Sequence, residues 1–577
     1  MSFEPIVPLL RPSFFLFPSE DSKSKTIRRY ALKYLKDLEI DSQFVSQNKA
    51  KRQYLKMISS CKIKANKHFE QSFSFKILKR QKKFASLESS HGENVPFLSK
   101  LVKTKRIEKL SCPKIYIEKG FLRTFATSSS FRKKLTQLGI ALKNENHDLD
   151  EKFLVQLNKC QALASLSLYC FGSANPFRQK DMSHNLNIRT LQSLTITVLY
   201  MGHNLLANVT KILSSNPLLN ELSISAVEWK LTEKNKGYEE FLSSLKKTKT
   251  MTSLKLSNLF LGTSYKNLLL ESISQLTNLN KLSLGISTFS QAQDKSFENM
   301  CLTLINLNSL TLEFDSVYIG PDFFRWLSFL INLNEFHFKA NFEESLEPCL
   351  PEAQNFFKTH PWLEKFSFIV YQTPRLEEES FNKLVSMLMW CPKINFLDIR
   401  IRKFSRKRLN VTAFESLSQS LMDFRDMENL TLNFHLWYPV KCDLEKIAQS
   451  LGGLKRMRKL ILNLPMIKEE CTETILTFCK NIAGLKELRT LKLEFCLDEP
   501  IDLEAQIFDY LLDRLPKLEE LTLLYHNIGK INDGSILPYQ HLEKKAKEKY
   551  KLLNFVLSNV LIYTYGQASE DKGKMLG

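Results

Sequence analysis

Ten histidines, eleven cysteines and 61 acidic residues are the groups in this 577-residue sequence that could do chemistry. Their spacing does not assemble a reaction. No histidines stand at H-E-x-x-H or another metal-binding spacing. No G-x-G-x-x-G, G-x-x-x-x-G-K-[ST] or G-x-S-x-G occurs, so neither a phosphate cradle nor a nucleophile elbow is legible. The terminal GKMLG has no strand before it. The acids at Glu343–Glu344 and Glu377–Glu379 read as solvated surface or as charges complementing a helix N-terminus. Catalytic, cofactor and metal residues are therefore not expected.

The cysteines are scattered, with no C-x-x-C and no cluster near either end. That pattern favours a reduced compartment, cytoplasmic or nuclear. The opening MSFEPIVPLLRPSFFLFPSE lacks a basic leader and carries prolines through its apolar part, unlike a signal peptide. No run of about 20 apolar residues is free of charge, so no membrane span is expected. The sequons at Asn208, Asn410 and Asn429 then carry no meaning.

Charge is the next candidate for function. The net charge is +21. Residues 21–110 hold 23 Lys/Arg against 8 Asp/Glu, an excess of 15. Within them, residues 61–84 interleave Phe69, Phe73, Phe75 and Phe84 with the basic run KILKRQKKF. Such a segment could contact nucleic acid or an anionic membrane, could act as an import signal, or could be a basic cap helix. A second basic run, RIRKFSRKR at 400–408, places six positive charges in nine residues.

The elements that position these residues follow from a repeated phrase. Residues 276–284 read LTNLNKLSL, 304–312 read LINLNSLTL and 330–338 read LINLNEFHF. Extending the phrase L-x-x-L-x-L gives thirteen clear central positions. They are Leu166, Leu194, Leu222, Leu254, Leu282, Leu310, Phe336, Phe366, Leu397, Leu430, Leu460, Leu491 and Leu521. Weaker units precede them at Leu110 and Leu138. A fixed period near 30 residues signals a solenoid. The stretches between phrases, such as EEFLSSLKK and DLEKIAQSLGGL, carry helical periodicity. Each unit is thus expected to be a strand, a loop and a helix, with parallel strands burying their leucines against the helices.

The phrase resembles the leucine-rich repeat family, in its long, ribonuclease-inhibitor-like class, over about residues 160–525. The resemblance implies an α/β solenoid (horseshoe), strands concave and helices convex, whose role is to bind protein rather than catalyse. One feature departs from the family. The Asn or Cys expected three residues after the last Leu is present only as Asn341 and Cys496.

The chain thus divides into a basic, mostly helical segment at 1–97, an array at 98–540, a closing helix at 541–565 and a disordered tail at 566–577. Around 17–55, the order FPSE, ALKYL, FVS and RQYL also resembles the F-box module. That resemblance implies a ubiquitin-ligase substrate receptor, with an adaptor near Tyr34, Leu35 and Val45. The gap between Pro18 and Tyr34 is longer than in that module.

In a repeat sheet the outward residues alternate with the buried ones and form one surface. From Phe336 onward these residues become charged or aromatic. His337, Lys339, Tyr371, Asp398, Arg400, Arg402, Phe404 and Trp437 are the expected partner-binding residues. Their positive charge suits an acidic segment of a protein partner, and their aromatics suit anchors.

Overall fold

The structure is a computed structural model. It describes residues 40–41, 62–65, 86–89, 109–116, 123, 125–142, 155–170, 188–229, 236–290, 293–371, 378–401, 411–434, 441–467, 472–497, 510–511, 513–527 and 554–559. The chain forms two compact units, Met1–Leu279 and Asn280–Gly577.

Among the described residues the first unit has nine strands. They are β1 (Ile40–Asp41), β2 (Lys62–Ala65), β3 (Ser86–Ser89), β4 (Lys109–Tyr116), β5 (Gln137–Leu142), β6 (Ser165–Cys170), β7 (Ser193–Met201), β8 (Glu221–Trp229) and β9 (Ser253–Leu259). Each pairs in parallel with the next in sequence. The phrase residues are in register throughout: Ile63, Leu87, Leu110, Leu138, Leu166, Leu194, Leu222 and Leu254.

Among the described residues the second unit has ten strands. They are β10 (Lys281–Phe289), β11 (Ser309–Val317), β12 (Glu335–Phe342), β13 (Lys365–Val370), β14 (Phe396–Ile401), β15 (Asn429–Phe434), β16 (Lys459–Ile467), β17 (Thr490–Leu497), β18 (Glu520–Asn527) and β19 (Asn554–Asn559). They too pair in parallel in sequence order, and Leu282, Leu310, Phe336, Phe366, Leu397 and Leu430 share one row. Every central Leu or Phe from Leu110 to Leu521 is at most 2% exposed. Fully burying such a side chain contributes about 1.5–3 kcal/mol, so the phrase is the core.

Helices fill the intervals from β7 to β17. Lys236–Lys247 shows why: Tyr238, Phe241, Leu242 and Leu245 are buried, spaced three and four apart on one stripe. Glu239 in its first turn and Lys246 and Lys247 in its last complement the helix dipole. The interval at 323–333 differs from expectation, since only Phe323–Leu327 is helical. The chain then turns to begin the next phrase, with Leu333 N donating to Leu330 O at 2.9 Å. That turn recurs at Leu279 to Leu276, Leu307 to Leu304 and Leu363 to His360.

Turn side chains carry a second ladder. Asn278 Nδ2 donates to Lys249 O and Asn332 Nδ2 to Ile305 O, each at 2.8 Å. Thr190 and Thr250 hydroxyls do the same for Leu163 O and Leu219 O. These groups satisfy backbone carbonyls before the strand. The family's Asn position, three residues after the last Leu of the phrase, is used at Asn341, whose Nδ2 donates to Asp315 O at 2.6 Å.

At two places the described residues differ in element type from the expectation. Residues 554–559, assigned to a closing helix at 541–565, are a strand in parallel register with β18, Leu521 opposite Phe555. The sequence LLNFVL at 552–557 repeats the phrase, so the strand ladder wins locally over helical periodicity. In the segment at 1–97, expected to be mostly helical, the described residues of β1, β2 and β3 are extended. There KIKA alternates with period two, which is a strand pattern. The remainder of that segment, with most of 61–84 and of the F-box-like stretch, lies outside the described residues. So do the rest of 541–565 and the tail at 566–577.

Among the described residues, no helix is long and apolar enough to cross a membrane, and no group of His, Cys, Asp and Glu could hold a metal ion.

Candidate partner-binding face

Alternation along each strand turns the residues between the phrase leucines away from the core. Parallel register then lines them up across strands. His337, Ser367 and Asp398 form one row on β12, β13 and β14. Glu313, Lys339, Ile369, Arg400 and Asn433 form the next, from β11 to β15. The face is therefore legible as a grid.

The charges on this grid are paired. Lys339 Nζ lies 3.7 Å from a Glu313 carboxylate oxygen and 5.4 Å from the centre of the Tyr371 ring. Lys365 is hydrogen-bonded to Glu335. Arg400 binds Asp398 through two nitrogens, Nε at 2.7 Å and Nη2 at 2.8 Å. The Asp398 side chain is 8% exposed and that of Arg400 is 43% exposed. Donating to the Asp398 carboxylate holds the Arg400 guanidinium above its ordinary pKa. The charges of Lys339 and Arg400 are thus met within the sheet. An acidic partner would compete with Glu313 and Asp398.

His337 is half-buried. Its ring meets Phe396 edge-on, with centroids 5.9 Å apart. The two sit on β12 and β14, and between them the small, buried Ser367 leaves room for the imidazole to reach across. Burial lowers the His337 pKa, and Lys365 adds to the shift, while Glu335 and Asp398 oppose it. His337 is therefore the neutral edge of an aromatic and aliphatic patch that includes Phe396, Ile369 and Tyr371. Burial also raises the Glu335 carboxyl, but hydrogen bonds from Lys365 and Ser309 outweigh it and leave the pKa lowered.

The structure thus brings together His337, Lys339, Tyr371, Asp398 and Arg400. Arg402, Phe404 and Trp437 lie outside the described residues. The sequence reading overlooked Glu313, Glu335, Lys365, Ile369 and Phe396. Aligning the phrases would have found them, since LTLEF and FHFK put Glu313 and Lys339 in the same column.

A buried histidine was overlooked as well. His360 occupies the first Leu position of its phrase and is fully buried. Its Nδ1 lies 2.8 Å from Phe356 O and its Nε2 3.0 Å from Leu330 O. Burial lowers its pKa, while the two carbonyls pull the other way. The next unit has Cys391 there, its thiol donating to His360 O at 3.3 Å. Burial pushes that thiol up to about 12, so it is a core group and not a nucleophile.

A strand, a turn and a helix recur about every 30 residues in each unit, with the leucine rows inside and a polar sheet face outside. That defines the fold as a leucine-rich repeat solenoid. No protein-family model matches the chain. No curated protein matches it either. Among solved structures it is similar to a leucine-rich repeat protein of Leptospira interrogans, at 14% identity and a TM-score of 0.33, over 79% of this chain and 91% of that one.

Proposed function

We propose that this chain is a non-enzymatic scaffold of the long-repeat class that binds a protein partner on the outward sheet face of β11 to β14. The observation that carries the reading is the grid itself. Rigid parallel strands hold Ile369, Phe396, His337 and Tyr371 beside ion pairs that are already formed. Such a surface has its side chains ordered before binding, which lowers the entropic cost of association. Aromatic and aliphatic groups at its centre would serve as anchors, with paired charges at the margin setting orientation. Because those charges are matched, the partner segment is of mixed polarity rather than a purely acidic run.

Affinity purification of the intact protein and of an Ile369→Arg variant tests the reading. Ile369 is half-exposed, so arginine there leaves the leucine rows intact. At least one protein recovered with the wild type should be lost with the variant. Recovery of the same proteins in the same amounts would contradict the assignment.

A further inference from the structure

The turns that lead into β11 to β18 form an edge with a composition of its own. These eight turns, 304–307, 330–333, 360–363, 391–394, 424–427, 454–457, 485–488 and 515–518, each close with a bond from the last backbone N–H to the first carbonyl. The N–H of the residue after each turn donates to a carbonyl one repeat earlier, as Asn334 to Asn308 and Glu364 to Asn334. That ladder holds the turns side by side. With about 4.8 Å between strands, they span roughly 34 Å.

The first four turns are apolar and the last four basic. No Asp or Glu occurs in the first four. Ile305, Ile331 and Trp362 stand exposed in them, Ile331 at 57% and Trp362 at 37%. Trp390, one residue before a turn, is 42% exposed. Among the described residues of the second unit, every exposed large hydrophobic side chain lies in a turn or within two residues before one. Single exposed hydrophobics need no explanation, but a row confined to one edge does. The last four turns hold Arg425, Lys455, Arg456, Lys486 and Lys517 against Asp426 and Glu487. The two acids are engaged by Arg456 and Lys517, which leaves Arg425, Lys455 and Lys486 in excess. Lys393 stands at the junction, and Lys358 Nζ lies 5.0 Å from the centre of the Trp390 ring. With the residue on either side of every turn included, nine bases face six acids.

We infer that this edge rests on an anionic lipid surface. The apolar turns enter the boundary between headgroups and acyl chains, and the basic turns beside them lie over anionic headgroups. A fluid surface accepts side chains that stand singly on successive turns, whereas a protein partner would have to match them in shape. Tryptophan suits that boundary, with its ring body among acyl chains and its N–H among headgroups. Asn332, beside Ile331, spends its carboxamide on Ile305 O, so that tip offers no directed polar contact for a protein to read. The two halves act together: a few apolar tips hold a bilayer weakly, and adjacent bases strengthen the hold. The edge is independent of the outward sheet face and its partner, and separate in sequence from the basic run at 61–84.

Co-sedimentation of the full chain with phosphatidylcholine vesicles containing about 30% phosphatidylserine tests this. Ile331→Ser with Trp362→Ser should weaken binding by about tenfold or more. Lys393→Gln with Arg425→Gln should do the same. Melting temperatures should stay unchanged, because all four positions are exposed. Vesicles of phosphatidylcholine alone should bind the wild type about tenfold more weakly. Brominated acyl chains should quench the tryptophan fluorescence of the bound wild type. Trp362→Phe with Trp390→Phe should remove most of that quenching while binding stays within about threefold. No binding of the wild type to anionic vesicles would overturn the inference. So would equal binding by the wild type and both double variants, or quenching that the two Phe substitutions leave intact. Weakening by the Lys393 and Arg425 pair alone would also overturn it, because the edge would then be a site for any polyanion, nucleic acid included.

Discussion

Arg400 lies along Asp398, two residues away on the same strand and the same face, with both carboxylate oxygens engaged at 2.7 and 2.8 Å. Asp398 is among the most buried charged groups of the sheet face, at 6% exposure for the whole residue. A two-point pair of this kind fixes the guanidinium in place. It also changes what Arg400 is for: it orders the face as much as it attracts a ligand.

The pair makes a stability prediction. Truncating either member leaves its partner without a counter-charge in a half-buried setting. Arg400→Ala and Asp398→Ala should each cost about 1–3 kcal/mol. The double variant should cost less than the sum of the two, by about 1 kcal/mol or more. Urea unfolding of the four proteins measures this coupling. Simple additivity would mean that the two side chains act independently.

His360 predicts a pH dependence. A base held below its ordinary pKa binds fewer protons folded than unfolded. Its contribution to stability is complete above the unfolded value of 6.5 and is lost progressively as pH falls from there through the lower folded value. His337 acts in the same direction. The urea midpoint should therefore fall between pH 7.5 and pH 5.5. His360→Leu restores the residue found at this position in neighbouring units, as at Leu330 and Leu304. Its midpoint should fall less over the same range, with a change at pH 7.5 of about 1.5 kcal/mol or less. Equal slopes for both proteins would show that His360 is not a source of the dependence.

The turn ladder predicts a modest cost. Asn332 Nδ2 donates to Ile305 O across one repeat at 2.8 Å. Asn332→Ala removes that bond where water can replace it, so the loss should be about 0.5–1.5 kcal/mol. Asn332→Thr should recover part of it, since Thr190 and Thr250 serve the same role in the first unit. Thermal melts of the three proteins decide the point.

Much of the fold was legible because one physical demand repeats. Every unit must bury the same row, so Leu222, Leu310 and Leu430 recur with little variation. Two things obscured the ends. At Asn554–Asn559 a helical spacing and the phrase overlap on the same letters, and only pairing with β18 decides between them. At Lys62–Ala65 lysine disguises a period of two. The site was half legible. The charge of Lys339 and Arg400 stands in the sequence, but its neutralisation by Glu313 depends on a neighbour 26 residues away in register.

The central claim is that the outward face of β11 to β14 is the partner-binding surface. Once a partner has been identified by purification, its dissociation constant for the wild-type chain, for Ile369→Arg and for Glu271→Lys, at an exposed helix position of the first unit, tests it most directly. Burying an unpaired arginine in place of Ile369 should weaken binding by at least tenfold, about 1.4 kcal/mol or more. Glu271→Lys should leave it within about twofold, under about 0.5 kcal/mol. Equal affinities for wild type and Ile369→Arg, with both folded, would contradict the account.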